Sequence, residues 1–292
     1  MANASETLHA AKHCEEASSD GGDDRSTVDT KLQRLYGTQK GATSYDEASC
    51  ETECNRFCMH YTLWNKLLPE EAVTSRSFLV LPCGAGRNVL PLRDRSAAHI
   101  IAADVSAAMV DCCAAKVTGT ECQASQAMPS GIEYMVVDAC NPSWTITQVD
   151  VALVIHLFCY AASFCELQEM CKTLSRNMKK RARLISYSCA ALPRMPDAVD
   201  QFCGICDVAD MSYLRGSVDL PTPDIAEYLW AGMRMKTHNW PLDVIQQALA
   251  EAGFGDFEIN PCVVDSSYTG ELDLQCFSKI TNYCFLTATK LA

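Results

Sequence analysis

A glycine-rich turn follows a strongly apolar stretch in the first third of the chain. Residues 78–88 read FLVLPCGAGRN, in which one residue separates Gly84 from Gly86. This pattern predicts a buried β-strand that leads into a ligand-binding loop, because glycine lets the backbone approach a ligand closely. A helix that begins after such a loop presents free N–H groups to a phosphate or nucleotide. A tight turn made only for packing the strand against the helix is the alternative interpretation.

Two aspartates end the next two predicted strands. Asp104 closes the stretch HIIAAD, and Asp138 closes IEYMVVD. In a doubly wound sheet the ligand lies at the carboxyl ends of the strands, where an acid after the second strand can accept protons from both ribose hydroxyls. Asp104 could also cap the following helix, and the two roles are compatible. Two strand-ending acids beside a glycine turn favour a nucleotide-type ligand over two unrelated helix caps.

Strand and helix patterns alternate along the chain, as the fold around these residues requires. The predicted strands are FLVLPC, HIIAAD, IEYMVVD, VDVALVIHLF and RLISYSC, followed after residue 240 by FEINPCVV and NYCFLTATKL. Runs that are apolar almost throughout are typical of parallel strands covered by helices on both faces. Ser163 and Glu166 have the spacing of a capping box at the start of one helix. We predict an α/β fold, a doubly wound Rossmann-like sheet of seven mostly parallel strands.

The chain divides into a tail and one domain. Residues 1–40 are polar and charged, too poor in apolar side chains to offset the entropy of ordering, and are predicted to be disordered. Residues 41–292 form the predicted domain, in which 41–69 make an N-terminal helix that Pro69 ends. The alternation stops between residues 190 and 240, a segment rich in aromatics and methionines. We predict that this insertion is a lid over the strand ends, with a dimer surface as the alternative.

The amino-acid composition limits the classes of partner that the protein is expected to bind. The formal charge of −12 disfavours nucleic acid as a partner, because phosphate binding needs a basic face. No apolar run reaches the roughly 18 residues of a membrane span, and the N-terminus lacks the pattern of a signal peptide. We therefore predict a cytoplasmic protein, monomer or homodimer, that does not contact membranes. The 18 cysteines are predicted to be free thiols, many of them in apolar runs.

Taken together, these features resemble the class I S-adenosylmethionine-dependent methyltransferases. The resemblance covers roughly residues 45–290 and rests on the glycine loop, the two strand-ending aspartates and the order of elements. It implies that the final two strands, after the helix ending in AGF, form an antiparallel pair. The spacing and the opening YDEAS are most similar to small-molecule methyltransferases of the ubiquinone- or toxoflavin-biosynthesis type.

The resemblance implies S-adenosylmethionine as cofactor and methyl transfer to a small-molecule acceptor by in-line displacement. It implies that the methionine part of the cofactor lies in the loop and that Asp104 holds the ribose. Val105 would lie against the adenine, while Asp138 would meet the adenine amino group and Ala139 would offer a backbone N–H. The loop residues that inherit the cofactor-binding role are Pro82, Cys83, Gly84 and Gly86.

Two positions depart from the family pattern. Val80 stands where an acid is usual, and Pro82 stands where a glycine is usual. Proline has no N–H to donate, but its carbonyl remains and its fixed φ suits a turn. A catalytically inactive cofactor-binding protein is therefore one alternative. An NAD-dependent oxidoreductase is another, although Val89 occupies the place of the third glycine that its loop would need.

The end of the fourth strand provides the candidates for chemistry. His156 is predicted to be the general base, with an imidazole that titrates near pH 7, and a packed core histidine is the alternative. The resemblance places Tyr160 at the same methyl-transfer site. Candidate acceptor-binding residues are Tyr45, Tyr61 and Trp230. The cysteines at 50, 54 and 58, and the pair at 203 and 206, could bind a metal, but helical packing is preferred and no metal is predicted.

Overall fold

The computed structural model describes most of the predicted domain. The described residues are 37–38, 40–44, 53–119, 131–141, 143–189, 223–230, 233–271, 274–275 and 283–291, without the side chains of 188–189, 224–230, 233–235 and 283. The predicted tail therefore lies almost wholly outside them, as do Tyr45, Cys50 and the cysteine pair at 203 and 206. Residues 190–222 of the predicted lid also lie outside.

Seven strands form the central sheet, and their bounds are β1 Ser77–Val80, β2 His99–Asp104, β3 Ile132–Val136, β4 Val149–Ile155, β5 Met178–Cys189, β8 Phe254–Pro261 and β9 Tyr283–Lys290. Their order in the sheet is β3-β2-β1-β4-β5-β9-β8. The strands β1 to β5 are parallel, whereas β9 runs antiparallel to both β5 and β8. This arrangement confirms the predicted fold class, including the antiparallel pair at the C-terminus.

Helices follow the strands and begin where the sequence provides caps. Ser106 Oγ accepts the Met109 N–H at the start of one helix, and Ser163 Oγ accepts the Glu166 N–H at the start of another. The carboxylate of Glu166 accepts the Ala162 N–H at 2.7 Å, one residue before the N-cap Ser163, so the predicted capping box forms with its return hydrogen bond displaced by one residue. The α-helices are α1 Glu70–Val73, α2 Val89–Asp94, α3 Ala107–Thr118, α4 Phe164–Arg176 and α5 Leu242–Glu251.

Two hydrophobic clusters cover the two faces of the sheet, as alternate residues of β1 show. Val80 belongs to the first cluster, with the helices α2 and α3, while Leu79 belongs to the second, with α4 and α5. Both side chains are fully buried. A sheet covered on both faces explains why its central strands are apolar almost throughout.

An N-terminal helical region packs on the first face. It contains two π-helical segments, Asn55–His60 and Leu63–Leu67, and ends before Pro69. The region is tied to the stretch that follows β8, because the Asp265 N–H donates to the Phe57 carbonyl at 2.8 Å and the Val263 N–H donates to Thr62 Oγ1 at 2.7 Å. Cys54 and Cys58 are buried here as part of the hydrophobic cluster, which agrees with the packing interpretation of their spacing.

The second half of the predicted insertion forms a small sheet of its own. Strands β6 Asp224–Trp230 and β7 Met233–Asn239 pair antiparallel, and β7 packs against the 3₁₀ turn Phe158–Tyr160 that follows β4. Trp240, which is 1% exposed, donates from Nε1 to the Ala161 carbonyl at 2.9 Å. This contact anchors the hairpin beside the carboxyl end of β4. That the segment acts as a lid stays a prediction.

Most of the described cysteines are free thiols, as the composition predicted. Ten described cysteines are free thiols, and most of these are buried among apolar side chains. Cys165 is disulfide-bonded, so the prediction that all the cysteines are free is wrong at this position. In the described ranges, no helix is long and apolar enough to cross a membrane.

Candidate functional site

The glycine loop lies at the carboxyl end of β1, in the middle of the parallel strands. Gly84 and Gly86 both have positive φ, +50° and +88°, a region in which glycine is favoured because it lacks a Cβ. The Cys83 N–H donates to the Ala103 carbonyl at 2.8 Å, which ties the loop to the end of β2. A cis peptide bond precedes Pro82. The predicted loop residues are therefore brought together beside the neighbouring strand.

Asp104 holds this loop from the end of β2. Its Oδ2 accepts the Gly84 N–H at 2.9 Å and its Oδ1 accepts the Ser106 N–H at 3.0 Å. Burial raises the pKa of Asp104, while these N–H groups and that of Val105 act in the opposite direction. Each carboxylate oxygen retains a second lone pair, so a hydroxyl donor can still bind. Asp104 thus orders the loop, a role that its position at a strand end did not reveal.

The first face of the sheet leaves little room behind Gly86. A Cβ built at Gly86 would lie 2.9 Å from Cys113 Sγ and 3.0 Å from Cys113 Cα, whereas one at Gly84 would meet nothing within 4 Å. A hydrogen bond to Cys113 and burial raise the pKa of the Cys83 thiol well above its usual range. Gly86 is therefore required for packing the loop on α3, while Gly84 borders open space.

Asp138 lies two residues beyond β3 and is exposed. Its Oδ1 accepts the Cys140 N–H at 2.8 Å, so the carboxylate is held in a local turn. Ala139 beside it is buried, and Val105 at the end of β2 is partly buried. The Val137 N–H donates to the Asp104 carbonyl at 2.8 Å, which joins the ends of β2 and β3. The two predicted acidic positions therefore belong to neighbouring strand ends.

His156 follows β4 directly and has an unusual backbone. Its φ is +60°, which is uncommon for a residue with a side chain and is found preferentially at functional sites. Its ring meets the ring of Tyr187 edge-on with a centroid distance of 5.1 Å, and the backbone N–H of His156 donates to the backbone carbonyl of Tyr187 at 2.8 Å. Burial lowers the pKa of His156 to about 4, and the positive charge of Arg87 contributes. The expectation that this imidazole titrates near pH 7 is therefore wrong.

A second histidine, His60, shares this electrostatic environment and was missed in the sequence. Burial lowers its pKa to about 4, and Arg87 contributes again. Its Nε2 is buried and has no hydrogen-bond partner among the described residues. His60 ends a π-helical segment, a feature often found at functional sites. Nothing in the local sequence distinguishes His60 from its neighbour Tyr61, the aromatic residue predicted to bind the acceptor.

The other residues predicted to lie near the acceptor belong to different elements of the fold. The ring of Tyr61 lies 5.6 Å from the ammonium of Lys66, whose side chain is exposed. Tyr160 is partly buried in the 3₁₀ turn after β4 and packs against the second cluster. The backbone of Trp230 ends β6 opposite Met233, and its side chain is not described. The roles of Tyr61, Tyr160 and Trp230 at the site stay predictions, as does that of Tyr45.

The lowered pKa values of His60 and His156 predict a loss of stability in acid. Because the folded pKa values of His60 and His156 lie below the ordinary value of 6.5, their neutral forms are favoured in the native state. Their contribution to stability is complete above about pH 6.5, declines as the pH falls toward 4, and is absent below that. It amounts to at most about 3 kcal/mol per histidine, since both are partly exposed. Urea unfolding at pH values across this window measures it.

The control for this prediction is a histidine outside the site. We expect His156→Gln to show a shallower dependence of unfolding free energy on pH than the parent protein. His99→Gln is the matched control for the loss of a histidine, because His99 lies at the opposite, amino end of β2. An unchanged slope in His156→Gln would contradict the assignment of the acid sensitivity to this site.

The part of the chain that carries the candidate site is similar to a known protein family. Residues 79–186 match a family model described as a methyltransferase domain. The matched segment runs from β1 to β5 and includes the glycine loop, Asp104, Asp138 and His156. No curated protein matches the sequence.

Two solved structures show the same fold. The chain is 12% identical to the N-methyltransferase NodS from Bradyrhizobium japonicum in complex with S-adenosylhomocysteine, with a TM-score of 0.54 over 90% of this chain and 98% of that one. It is also 12% identical to magnesium protoporphyrin IX methyltransferase from Synechocystis with bound S-adenosylhomocysteine, with a TM-score of 0.53 over 90% and 99%. At these identities the similarity establishes the fold.

Proposed function

We propose that this protein binds S-adenosylmethionine and transfers its methyl group to a small-molecule acceptor. The observation that carries the proposal is the match of residues 79–186 to the methyltransferase domain, because this segment contains the loop and both strand-ending aspartates. Two proteins of the same fold were solved with S-adenosylhomocysteine bound, which supports the same cofactor here. The narrower similarity to ubiquinone- or toxoflavin-biosynthesis enzymes stays a prediction.

The residues present at the site fit this cofactor. Open space borders Gly84, and Asp104 retains acceptor capacity for hydroxyl groups. The exposed carboxylate of Asp138 at the next strand end can accept a hydrogen bond from an amino group. Asn88, which is 8% exposed, has a buried Oδ1 without a hydrogen-bond partner in the described part of the chain. Such a buried polar atom is uncommon and suggests that a ligand satisfies it.

Methyl transfer requires little covalent chemistry from the protein. When bound, the cofactor supplies a methyl group activated by its sulfonium sulfur. Much of the acceleration comes from holding the acceptor atom in line with that methyl group, so positioning is the main task of the chain. Asp104 would hold the ribose and thereby set how far the cofactor extends into the site. His156 at the end of β4 would border the acceptor. With a pKa of about 4, His156 is neutral at physiological pH and can accept or donate a hydrogen bond without carrying charge.

Binding and transfer can be tested separately. We expect isothermal calorimetry with the purified full chain to show 1:1 binding of S-adenosylhomocysteine, and NAD, the cofactor of the competing interpretation, to give no heat of binding. We then expect label from methyl-tritiated S-adenosylmethionine to enter a compound in a deproteinised cell extract, in amounts that depend on the protein.

The possible outcomes discriminate among the classes of function. Binding without transfer would favour a catalytically inactive cofactor-binding protein. Val80 and Pro82, which depart from the family pattern, are the reason for including this alternative. Binding of NAD in place of S-adenosylhomocysteine would overturn the proposal in favour of an oxidoreductase.

A further inference from the structure

We propose that His238 is the base that removes the proton of the acceptor during methyl transfer, and that the acceptor is a hydroxyl or an ammonium group. The inference rests on the proposed methyl transfer and assigns a catalytic residue and an acceptor class to it. His238 lies on β7, in the hairpin of β6 and β7, which pairs apart from the central sheet. Its place beside the site is therefore a result of how this hairpin packs.

The end of β7 is held at the carboxyl end of β4. Trp240, two residues after His238, donates from Nε1 to the Ala161 carbonyl at 2.9 Å, and β7 packs on the 3₁₀ turn that follows β4. In that turn Cys159 Sγ donates to the His156 carbonyl at 3.2 Å. Contacts thus connect the hairpin, through the turn, to the first residue after β4.

The carboxyl end of β4 adjoins the candidate cofactor site. The Leu81 N–H, at the start of the glycine loop, donates to the Leu153 carbonyl of β4 at 3.1 Å. β1 and β4 are also the two strands between which the order of the parallel strands reverses. Ligands of doubly wound sheets bind at this switch point, outside the carboxyl ends of the strands. A cofactor beside β1 and an acceptor beside β4 would therefore meet next to the turn on which β7 packs.

The imidazole of His238 has an unused nitrogen. Its Nδ1 is buried and has no hydrogen-bond partner in the described part of the chain, although the residue as a whole is partly exposed. The neighbouring polar side chains differ in this respect, because Thr237 Oγ1 donates to Asn239 Oδ1 at 3.5 Å within the hairpin. Buried polar atoms without partners are uncommon in folded proteins. A proton donor on a bound acceptor would satisfy Nδ1.

The ionisation of His238 is compatible with a base. Burial lowers the pKa of His238 below its ordinary value, and Lys236, the charged residue that acts on it among the described side chains, contributes. The backbone carbonyl of Cys159 acts in the opposite direction. The ring is therefore neutral at physiological pH and has a lone pair for a proton, and the carbonyl favours the imidazolium once it forms. In contrast, burial and Arg87 lower the pKa of His156 to about 4, which makes it a weak base.

Proton transfer to His238 balances the reaction. When the acceptor is a hydroxyl, its oxygen lone pair forms the O–CH₃ bond, the S–CH₃ bond breaks with its electron pair remaining on sulfur, and the hydroxyl proton passes to the imidazole. When the acceptor is an ammonium, its proton passes to the imidazole first and frees the nitrogen lone pair. In both cases one proton leaves the acceptor for each methyl group transferred, and the partly exposed imidazolium returns it to solvent.

Substitution of His238 tests the inference in an assay of the full chain with methyl-tritiated S-adenosylmethionine and a deproteinised cell extract as the source of acceptor. We expect His238→Gln to lower the maximal rate of label transfer by about a hundredfold or more, because a positioned base contributes about 10²–10⁴-fold. The amount of extract that gives half the maximal rate, and the dissociation constant of S-adenosylhomocysteine, should each change less than about threefold. Such a split between rate and affinity is expected of a base and not of a residue that only supports the fold.

Two variants are matched controls. Thr237→Val removes the hydroxyl next to His238 on β7, at a side chain that is 5% exposed, and so disturbs the hairpin without removing the imidazole. His99→Gln removes a histidine at the amino end of β2, away from the site. We expect both to retain the maximal rate of the parent protein within about threefold.

The pH dependence of the rate gives an independent test. Since only the neutral imidazole can accept a proton, the maximal rate of the parent protein should fall as the pH decreases below about 6.5, through the lowered pKa of His238. This acid limb should be absent from His238→Gln and present in both controls. Binding of S-adenosylhomocysteine at each pH shows that the proteins are folded there. The mass spectrum of the labelled product distinguishes a methylated oxygen from a methylated nitrogen.

The inference is wrong if His238→Gln keeps the maximal rate of the parent protein or its acid limb. It is also wrong if Thr237→Val loses as much rate as His238→Gln, since hairpin packing would then explain both losses. A product methylated on a thioether sulfur or a carboxylate oxygen would overturn it as well, because such acceptors have no proton to lose at neutral pH. If S-adenosylhomocysteine binds and the parent protein labels nothing in the extract, the methyl transfer itself is refuted, a result distinct from a loss confined to His238→Gln.

Discussion

Replacing Asp104 by asparagine should weaken binding of S-adenosylhomocysteine by about a hundredfold or more. The proposed ribose contacts are charge-assisted hydrogen bonds, each contributing roughly 1.5–3 kcal/mol, and an amide retains one acceptor oxygen where the carboxylate has two. The amide nitrogen would also face either the Gly84 or the Ser106 N–H, which now donate to the two oxygens at 2.9 and 3.0 Å. Two donors facing each other would release the loop from the end of β2.

Calorimetry and urea unfolding together separate these two consequences of Asp104→Asn. We expect a loss of about 1–3 kcal/mol in unfolding free energy from the unsatisfied backbone donors, in addition to the loss of affinity. Asp111→Asn is the control, because Asp111 is an exposed aspartate on α3, the helix that follows. Full affinity in Asp104→Asn would refute the ribose assignment, and full stability with reduced affinity would show that the loop does not depend on this carboxylate.

The sheet could be predicted because its signals are local. The central strands β1, β2 and β4 are buried on both faces, so their sequences are apolar almost throughout. Capping residues such as Ser163 mark where helices begin. The positions of Asp104 and Asp138 at strand ends followed from the strand predictions. These features need no knowledge of which distant residues touch.

The surroundings of His60 and His156 depend on contacts that the sequence does not encode locally. His60 precedes the glycine loop by more than one element, and its relation to Arg87 and His156 arises when the N-terminal region packs on the first face of the sheet. The ionisation of His156 was mispredicted for the same reason, since burial and Arg87 come from elsewhere in the chain. Likewise, the aspartate pattern showed where Asp104 lies without showing that it binds the Gly84 N–H.

The two glycines of the loop should respond very differently to the same substitution. Gly86→Ala adds a methyl group 2.9 Å from Cys113 Sγ and 3.0 Å from Cys113 Cα, at a φ of +88°. The left-handed backbone costs about 1–2 kcal/mol in an alanine, and overpacking against α3 costs about 1–3 kcal/mol more. We expect a loss of about 2–5 kcal/mol in unfolding free energy, measured by urea denaturation.

Gly84→Ala is the matched control, because the added methyl group meets nothing within 4 Å at a φ of +50°. We expect it to lose only the backbone contribution of about 1–2 kcal/mol. Adding Cys113→Ala to Gly86→Ala removes the contact with sulfur and retains the contact with the α3 backbone, so it should restore part of the stability. A double-mutant cycle measures this coupling directly. Equal losses in the two single variants would mean that backbone conformation alone, and not packing against Cys113, requires glycine at position 86.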